Sequence, residues 1–216
     1  MIKIEKVVTP SPEQWEAIIR GMRNPKNSWD KSDSHATYVD DECVNAKAPH
    51  CFVVGDEDLI LMERLAEAGS DHRKFMRMIT VYMDITAPLY WYKEFETYKV
   101  GTVANSCSTM HKIHAKEFVL DDFSHDRMLA DGIENLMATI EHLNRDRDAY
   151  LEAGDKDYWD DMIQSLPSSY NQKRTVLLNY EVLRNMYHAR RNHKLMEWRE
   201  FCERIEDLPY SELITG

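Results

Sequence analysis

Residues 71–111 have the sequence DHRKFMRMITVYMDITAPLYWYKEFETYKVGTVANSCSTMH, in which three kinds of segment follow one another. Ile79 to Ile85 carries β-branched and aromatic residues with partial alternation, which predicts a strand. Ala87-Pro88 ends the strand and can open a helix, because proline is tolerated in a first helical turn. Leu89 to Val100 is then predicted to be an aromatic-rich helix, and the small, polar segment Gly101 to Ser108 a loop. Such a loop on a rigid scaffold is a common place for a ligand.

The composition limits the classes of function. The chain has 216 residues, 43% of them hydrophobic, which predicts one domain over residues 1–216 with a sizeable core. A net charge of -11 disfavours nucleic-acid binding, although a small anionic ligand can still bind where basic side chains converge. Four cysteines without CxxC pairing, and no signal peptide, favour a cytoplasmic protein. No apolar run approaches the roughly 20 residues that span a bilayer, so we expect no membrane partner.

The rest of the chain is mostly helical in its pattern. Met1 to Thr9 alternates and predicts a first strand, and Phe52 to Val54 is a possible short one. Apolar residues recur at helical spacing in segments 11–23, 56–68, 124–153, 156–165 and 172–206, the last with a bend near Arg191-Asn192. These patterns predict an α+β fold, a helix-rich single domain around a small antiparallel sheet of the N-terminal and central strands. The polar segment Asn24 to Ser34 is a surface excursion or a ligand lid, and composition favours the former.

The loop Asn105 to Ser108 is the first candidate for chemistry. Its hydroxyl, amide and backbone N–H donors suit phosphate and sugar oxygens. The alternative, equally favoured by the loop alone, is a polar turn whose hydroxyls cap the next segment. Cys107 with His111 or His114 would make a nucleophile and base, but no spacing rule supports the pair and a lone cysteine is usually a small buried hydrophobe.

Histidines do not predict a metal site. His111 and His114, even with His72, lack a fourth ligand and a familiar spacing. We therefore expect no metal ligands in this chain.

The second candidate for chemistry lies in residues 179–193, NYEVLRNMYHARRNH. Asn179 and Asn185 are unfavourable in a helix by propensity, and residues that break a local rule without local gain often mark a site. Arg190 has the planar donor fork that binds a phosphate bidentately. The alternative is a solvated helix face.

These segments, in this order, resemble the flavin-dependent thymidylate synthases, whose strand, Ala-Pro and aromatic helix lead to a signature R-H-R-x-x-S-x-N-x-x-S-x-R. Residues 84–90, DITAPLY, match the approach, and Glu94-Phe95 falls where the family has Gln-Trp. The Arg-His-Arg of the signature falls on Thr97-Tyr98-Lys99. With one inserted residue, its asparagine and later serine fall on Asn105 and Ser108, and its final arginine falls on Met110.

The match to the family pattern is better in the C-terminal part of the chain. From Pro167 the family pattern runs without a gap through Asn179, Asn185 and Arg190, and a later His and Glu match His193 and Glu197 with a one-residue gap. One family arginine falls on Glu181. Positive charge near the nucleotide is therefore reduced, and the basic residues available to compensate are Lys99, Lys112, Arg190 and Arg191.

The resemblance implies an enzyme of nucleotide biosynthesis, an FAD-dependent methyltransferase that methylates dUMP at C5 to give dTMP. Methylenetetrahydrofolate would supply the carbon, and reduced FAD, recharged by NADPH, the hydride. The flavin carries the chemistry, so no catalytic side chain is implied. The implied nucleotide contacts are Ser108, Arg190, Lys99 and Ser106, and the implied flavin contacts are Asn105, Asn179, Asn185, Tyr98 and His193. The implied assembly is a homotetramer.

Two alternatives remain open on the same scaffold. The altered signature is compatible with C5 modification of another pyrimidine nucleotide. Glu181 and Met110, both at positions where the family has positive charge, are compatible with a non-catalytic nucleotide-binding homologue.

Overall fold

The computed structural model describes residues 2–39 and 48–216, so Met1, in the predicted first strand, and Cys43 lie outside the described residues. None of the described helices is long and apolar enough to cross a membrane. The strands and helices follow in the order β1 (Lys3–Val8), α1 (Pro12–Arg23), β2 (His35–Val39), β3 (Ala48–Val53), α2 (Asp56–Glu67), β4 (Thr80–Pro88), α3 (Leu89–Phe95), β5 (Val103–Ser106), α4 (Ala130–Ala153), α5 (Lys156–Ser165), β6 (Asn171–Asn179), α6 (Tyr180–Arg190), α7 (Met196–Glu206) and α8 (Glu212–Thr215).

The strands form two sheets. The larger sheet has the strand order β1-β4-β6-β5, and the smaller one pairs β2 with β3 in antiparallel fashion. Strands β4 and β6 are antiparallel, because Leu89 N donates to Tyr170 O at one end and Tyr180 N to Ile79 O at the other, both at 3.0 Å. The predicted α+β class, helix-rich around a small antiparallel sheet, is confirmed.

The described residues group into two compact units. The first unit holds the residues up to Glu5 together with 84–98 and 104–175, and the second unit holds 6–83, 99–103 and 176–216. The apolar core of the first unit consists of Ile113, Phe118, Phe123, Leu136, Ile140, Leu143 and Met162. In the second unit the largest buried side chains include Ile18, Met62, Met76, Tyr180, Trp198 and Phe201. A single domain over residues 1–216 stays a prediction.

Helices with clear end signals match their predictions. A capping box starts α1, in which the Ser11 hydroxyl accepts from Gln14 N and the Gln14 side chain accepts from Ser11 N. The α5 helix has the predicted bounds, and the Asp155 side chain caps it. The C-terminal break between α6 and α7 falls where the bend was predicted.

Two helices are shorter than predicted. The α4 helix begins at Ala130 and not at Ser124, because Ser124 N donates to Ser169 O at 2.8 Å. This hydrogen bond pairs Ser124 with the segment just before β6 instead of with a helical turn. The α3 helix ends at Phe95, before the predicted end at Val100. Phe95 is the last buried aromatic side chain of this helix. Tyr98 is only half-buried, and Lys99 and Val100 are exposed, so a further turn would bury little apolar surface.

Two segments assigned otherwise by their pattern are strands. Residues 172–179, predicted as helix, belong to β6, where Gln172, Val176 and Leu178 are buried on one face. The apolar residues of this run fit both the helical and the strand period, and the pairing with β4 is what makes the run a strand. Residues 101–108, predicted as loop, contain β5, which joins the sheet through its main chain while its four side chains stay exposed.

The polar loop that follows α1 is fixed by a buried ion pair. Arg23 Nε lies 2.5 Å from Asp58 Oδ1, and both side chains are almost fully buried. The hydroxyls of Ser32 and Ser34 donate to the other Asp58 oxygen at 2.6 and 2.7 Å. Asp33 accepts from two main-chain N–H groups in the first turn of α2. These bonds favour the surface excursion over the ligand lid.

We predict that Asp58→Ala lowers the free energy of unfolding by about 3–5 kcal/mol, because it leaves Arg23 buried without its partner. Burial by itself raises the pKa of Asp58, but hydrogen bonds from Ser32, Ser34 and Arg23 outweigh it and hold the pKa below its usual value. The stability that Asp58 contributes is therefore complete at neutral pH and is lost as the pH falls below about 4.

Urea unfolding from pH 7 to pH 3 measures this effect. Asp56→Ala, an exposed carboxylate in the same helical turn, is the matched control and should cost less than about 1 kcal/mol. Equal losses for the two variants, or a difference that does not shrink in acid, would contradict the account.

Candidate functional site

The polar loop predicted as a nucleotide contact lies at the end of β5 in the first unit. Asn105 and Ser106 are in the strand and Ser108 is in the turn after it, all with exposed side chains. Cys107 N donates to Lys173 O at 2.9 Å, which ties the turn to β6. The Ser108 hydroxyl oxygen accepts from the N–H groups of the second and third residues after it, at 3.2 and 2.9 Å. Ser108 therefore caps the next turn, as the alternative interpretation predicted.

Arg174 lies beside this loop and was missed by the sequence analysis. Its Nη1 donates to Glu96 at 2.6 Å, its Nε donates to Gln172 at 2.9 Å, and its guanidinium lies 3.8 Å from the centre of the Tyr92 ring. Gln172 in turn donates to Cys107 O at 2.7 Å. A positive charge is thus held rigidly at the base of the loop. The signal for it was the alternation in β6, which was assigned to a helix.

The Tyr92 ring, against which the Arg174 guanidinium packs, is fixed in its orientation. Burial raises the pKa of Tyr92 well above its usual value, although the adjacent Arg174 opposes the rise. The Tyr92 hydroxyl stays protonated and donates to Ile85 O at 2.7 Å. Tyr92 on α3 therefore orients a guanidinium in this unit and keeps its own proton at neutral pH.

Asn179 is the helix cap of α6 in the second unit. Its side-chain oxygen accepts from Val182 N at 3.0 Å, and its Nδ2 donates to the carbonyls of Val100 and Gly101 at 3.3 Å each. The side chain is buried, so both ends of its amide are engaged inside the protein. Asn179 holds the segment after exposed Lys99 against the start of α6.

Glu181, which stands where the resembled family has an arginine, is buried between two arginines. Its carboxylate pairs with Arg77 Nε and lies 3.6 Å from Arg73 Nε. Hydrogen bonding to Glu181 holds the pKa of Arg77 above its usual value. Two guanidiniums around one carboxylate leave one positive charge in excess beside Glu181. The basic run 72–77 was the signal for these arginines in the sequence.

The other C-terminal candidates meet at Trp198 in the second unit. The Arg190 guanidinium lies 5.2 Å from the centre of the Trp198 ring, and the His193 ring meets it edge to face at 6.4 Å. His193 Nδ1 accepts from Leu195 N at 3.2 Å, which orients the imidazole. Asn185 is exposed on α6. Tyr98, half-buried in the first unit, follows the end of α3.

The cysteine and histidine candidates are not assembled into a reactive group. Cys107 is exposed, while the His111 main chain bonds to Ser108 and the His114 ring packs edge to face on Tyr150. The one metal-binding geometry found among residues 2–39 and 48–216 involves none of His72, His111 and His114.

Two cavities of about 300 Å³ each lie in the second unit, beside the end of α1. One contains the exposed ring of Trp29, and the other is lined by basic residues including Lys26 and Arg64. Neither is lined by a residue that the sequence analysis assigned to a site.

We predict that Gly101→Ala destabilises the protein more than Gly154→Ala does. Both glycines have left-handed backbone angles, φ +70° and φ +67°, at which alanine costs about 1–2 kcal/mol. A Cβ at Gly101 would lie 2.8 Å from Asn179 Nδ2, whereas a Cβ at Gly154 meets no atom within 4 Å. Breaking the Asn179 bonds adds about 1–3 kcal/mol. Urea denaturation of the two variants measures the difference, and equal losses would show that Asn179 does not depend on this contact.

We also predict that Glu181→Gln lowers the free energy of unfolding by about 1–3 kcal/mol. The charge-assisted hydrogen bond from Arg77 and the ion pair with Arg73 are lost, and the two arginines then repel each other. Glu203→Gln, an exposed glutamate of the same unit, should change stability by less than about 0.5 kcal/mol. Thermal unfolding at low and high salt tests both variants. If the Glu181→Gln variant were as stable as the wild type, the ion pairs would have no structural role.

Comparison with known proteins identifies the fold. No protein-family model matches the sequence, and no curated protein matches it. Two solved structures of the flavin-dependent thymidylate synthase ThyX from Helicobacter pylori, each with FAD and dUMP, superimpose with a TM-score of 0.65 at 15% identity. The match covers 99% of this chain and 97% and 95% of those chains. The chain therefore has the fold of the flavin-dependent thymidylate synthases.

Proposed function

We propose that this protein is a divergent flavin-dependent thymidylate synthase. The proposed reaction is the reductive C5 methylation of dUMP to dTMP, with methylenetetrahydrofolate as the carbon donor, FAD as the cofactor and NADPH as the reductant. One observation carries the proposal: the fold is shared along almost the whole of both chains with proteins whose structures contain FAD and dUMP. The kept order of Asn105, Asn179, Asn185 and Arg190 supports it.

The chemistry of the C-terminal donors fits FAD. Asn185 offers an exposed amide, and His193 offers an imidazole oriented by the Trp198 ring. Amide and imidazole N–H donors suit the carbonyl and phosphate oxygens of a flavin dinucleotide. When bound, FAD would supply the hydride chemistry. The buried amide of Asn179 is engaged internally, so we propose that it acts by positioning the start of α6. Asn105 and Tyr98 are proposed flavin contacts on the resemblance alone.

A phosphate-bearing nucleotide needs fixed positive charge and hydroxyl donors. On the resemblance alone, we propose Arg190, Ser108 and Ser106 as contacts of dUMP, with Lys99 as a weaker one. This chain has Glu181 where the resembled family has an arginine. We propose that Arg73 and Arg77, which flank Glu181, supply the positive charge there.

The proposed assembly is a homotetramer. Val103, the first residue of the edge strand β5, exposes 63% of its surface, and Val100, just before that strand, exposes 67%. Apolar side chains next to an open strand edge are typical of surfaces that another chain covers. Sedimentation of the purified protein tests this proposal.

A second candidate, nucleotide binding without turnover, is favoured by Met110, which is exposed where the resembled signature ends in an arginine. A related possibility is C5 modification of another pyrimidine nucleotide. Both are distinguished by the experiment below.

We predict that Arg190→Ala weakens dUMP binding by about 1.5–3 kcal/mol, the usual worth of a hydrogen bond to a charged group. Calorimetric titration of dUMP, dCMP and dTMP measures it, with dTMP formation followed in parallel. Arg204→Ala, an exposed arginine paired with Asp207 on the surface, is the matched control and should bind like the wild type.

The outcomes separate the candidates. Tight dUMP binding with dTMP formation supports the proposal, and dUMP binding without turnover favours the binding module. Preference for dCMP favours the other pyrimidine, and unchanged binding in Arg190→Ala removes Arg190 from the site.

A further inference from the structure

Three side chains that could ligate a metal converge in the first unit, on helices that the proposed function does not use. His142 and Asp146 are one turn apart on α4, and Asp161 is on α5. His142 Nε2 lies 3.2 Å from Asp146 Oδ2 and 3.2 Å from Asp161 Oδ2. The three ligand atoms all lie within 4.8 Å of one another.

Asp146 is the second observation that points to a ligand. The residue is only 8% exposed, and its Oδ2 is buried without a hydrogen-bond partner, even though His142 Nε2 is close. A buried carboxylate oxygen without a hydrogen bond, facing a second carboxylate, is costly unless a positive charge lies between them.

We propose that His142, Asp146 and Asp161 bind a divalent cation, zinc in preference to magnesium or calcium, and thereby clamp α5 onto α4. Zinc bonds of about 2.0–2.1 Å in tetrahedral geometry place neighbouring ligand atoms about 3.3 Å apart. The two nitrogen–oxygen separations of 3.2 Å match this spacing, and the third separation, between the two carboxylate oxygens, is at most 4.8 Å. An imidazole nitrogen among the ligands selects zinc over the hard cations, which prefer oxygen ligands only.

The position suits a structural ion. Leu143 on α4 and Met162 on α5, each next in sequence to a ligand, are buried in the core of the first unit. The exposed Asp161 leaves the fourth coordination position to water. The cation would tie the two helices at the rim of that core.

Arg145 competes with the cation. Its Nη2 lies 3.4 Å from His142 Nδ1, and a neutral imidazole that binds zinc through Nε2 carries its proton on Nδ1. Zinc binding must therefore displace this contact, which is long and exposed. Removing Arg145 should tighten zinc binding by about two- to five-fold, the effect of one exposed charge pair.

The test titrates zinc chloride, by calorimetry, into the full-length, untagged protein after treatment with a chelator and dialysis. We expect one zinc per chain, an increase in Tm, and at least about a tenfold weaker affinity in Asp161→Asn. Asp160→Asn, an exposed neighbour on α5 with the same change of charge, should bind as the wild type does.

Two further readouts keep the test decisive. Asp161 is exposed, so its variant should fold, and Arg145→Ala should bind zinc more tightly. No stoichiometric zinc binding, or the same affinity in Asp161→Asn and Asp160→Asn, would overturn the proposal and leave a histidine–carboxylate ion pair. Unchanged or weaker binding in Arg145→Ala would also count against it. Magnesium chloride in the same titration should give no binding.

Discussion

The antiparallel pairing of β4 with β6 is the constraint that decides where helices α3 and α6 begin. Each of these strands runs directly into a helix, β4 into α3 and β6 into α6. The main-chain bonds that close the two ends of the pair involve the first residue of each helix, Leu89 and Tyr180. The strand pairing therefore fixes where the helices begin, and side chains near the strand ends inherit their positions from main-chain geometry.

Two buried carboxylates of this protein are paired with arginine side chains. Asp58 is buried against Arg23 and two serine hydroxyls, and Glu181 is buried against two arginines. Removing one partner of such a group costs more than the group contributes, so a substitution of one residue alone is expected to be destabilising. Around Glu181, the two guanidiniums of Arg73 and Arg77 outnumber the one carboxylate that they flank. The same reasoning makes the buried oxygen of Asp146 conspicuous, since no donor satisfies it.

Much of the fold was predictable, because its signals are local. The capping box at Ser11 set the start of α1, and Asp155 with the turn before it set the start of α5. Residues 172–179 were misassigned because a run such as Thr-Val-Leu-Leu satisfies both helical and strand periods, and only its pairing with a distant strand decides between them. β5 was missed for a related reason, since an edge strand with four exposed side chains has no apolar pattern. Arg174, Arg73 and Arg77 were not singled out from the sequence, because the carboxylates that they pair with lie far away in sequence.

The central claim is that a chain with this fold and a degenerate signature still binds the family's cofactor. The most direct measurement is the visible absorbance spectrum of the protein purified without added cofactor, repeated after incubation with FAD and desalting. The account predicts flavin absorbance that is retained through desalting and weakened in Asn185→Ala. A colourless protein that does not retain FAD would contradict it.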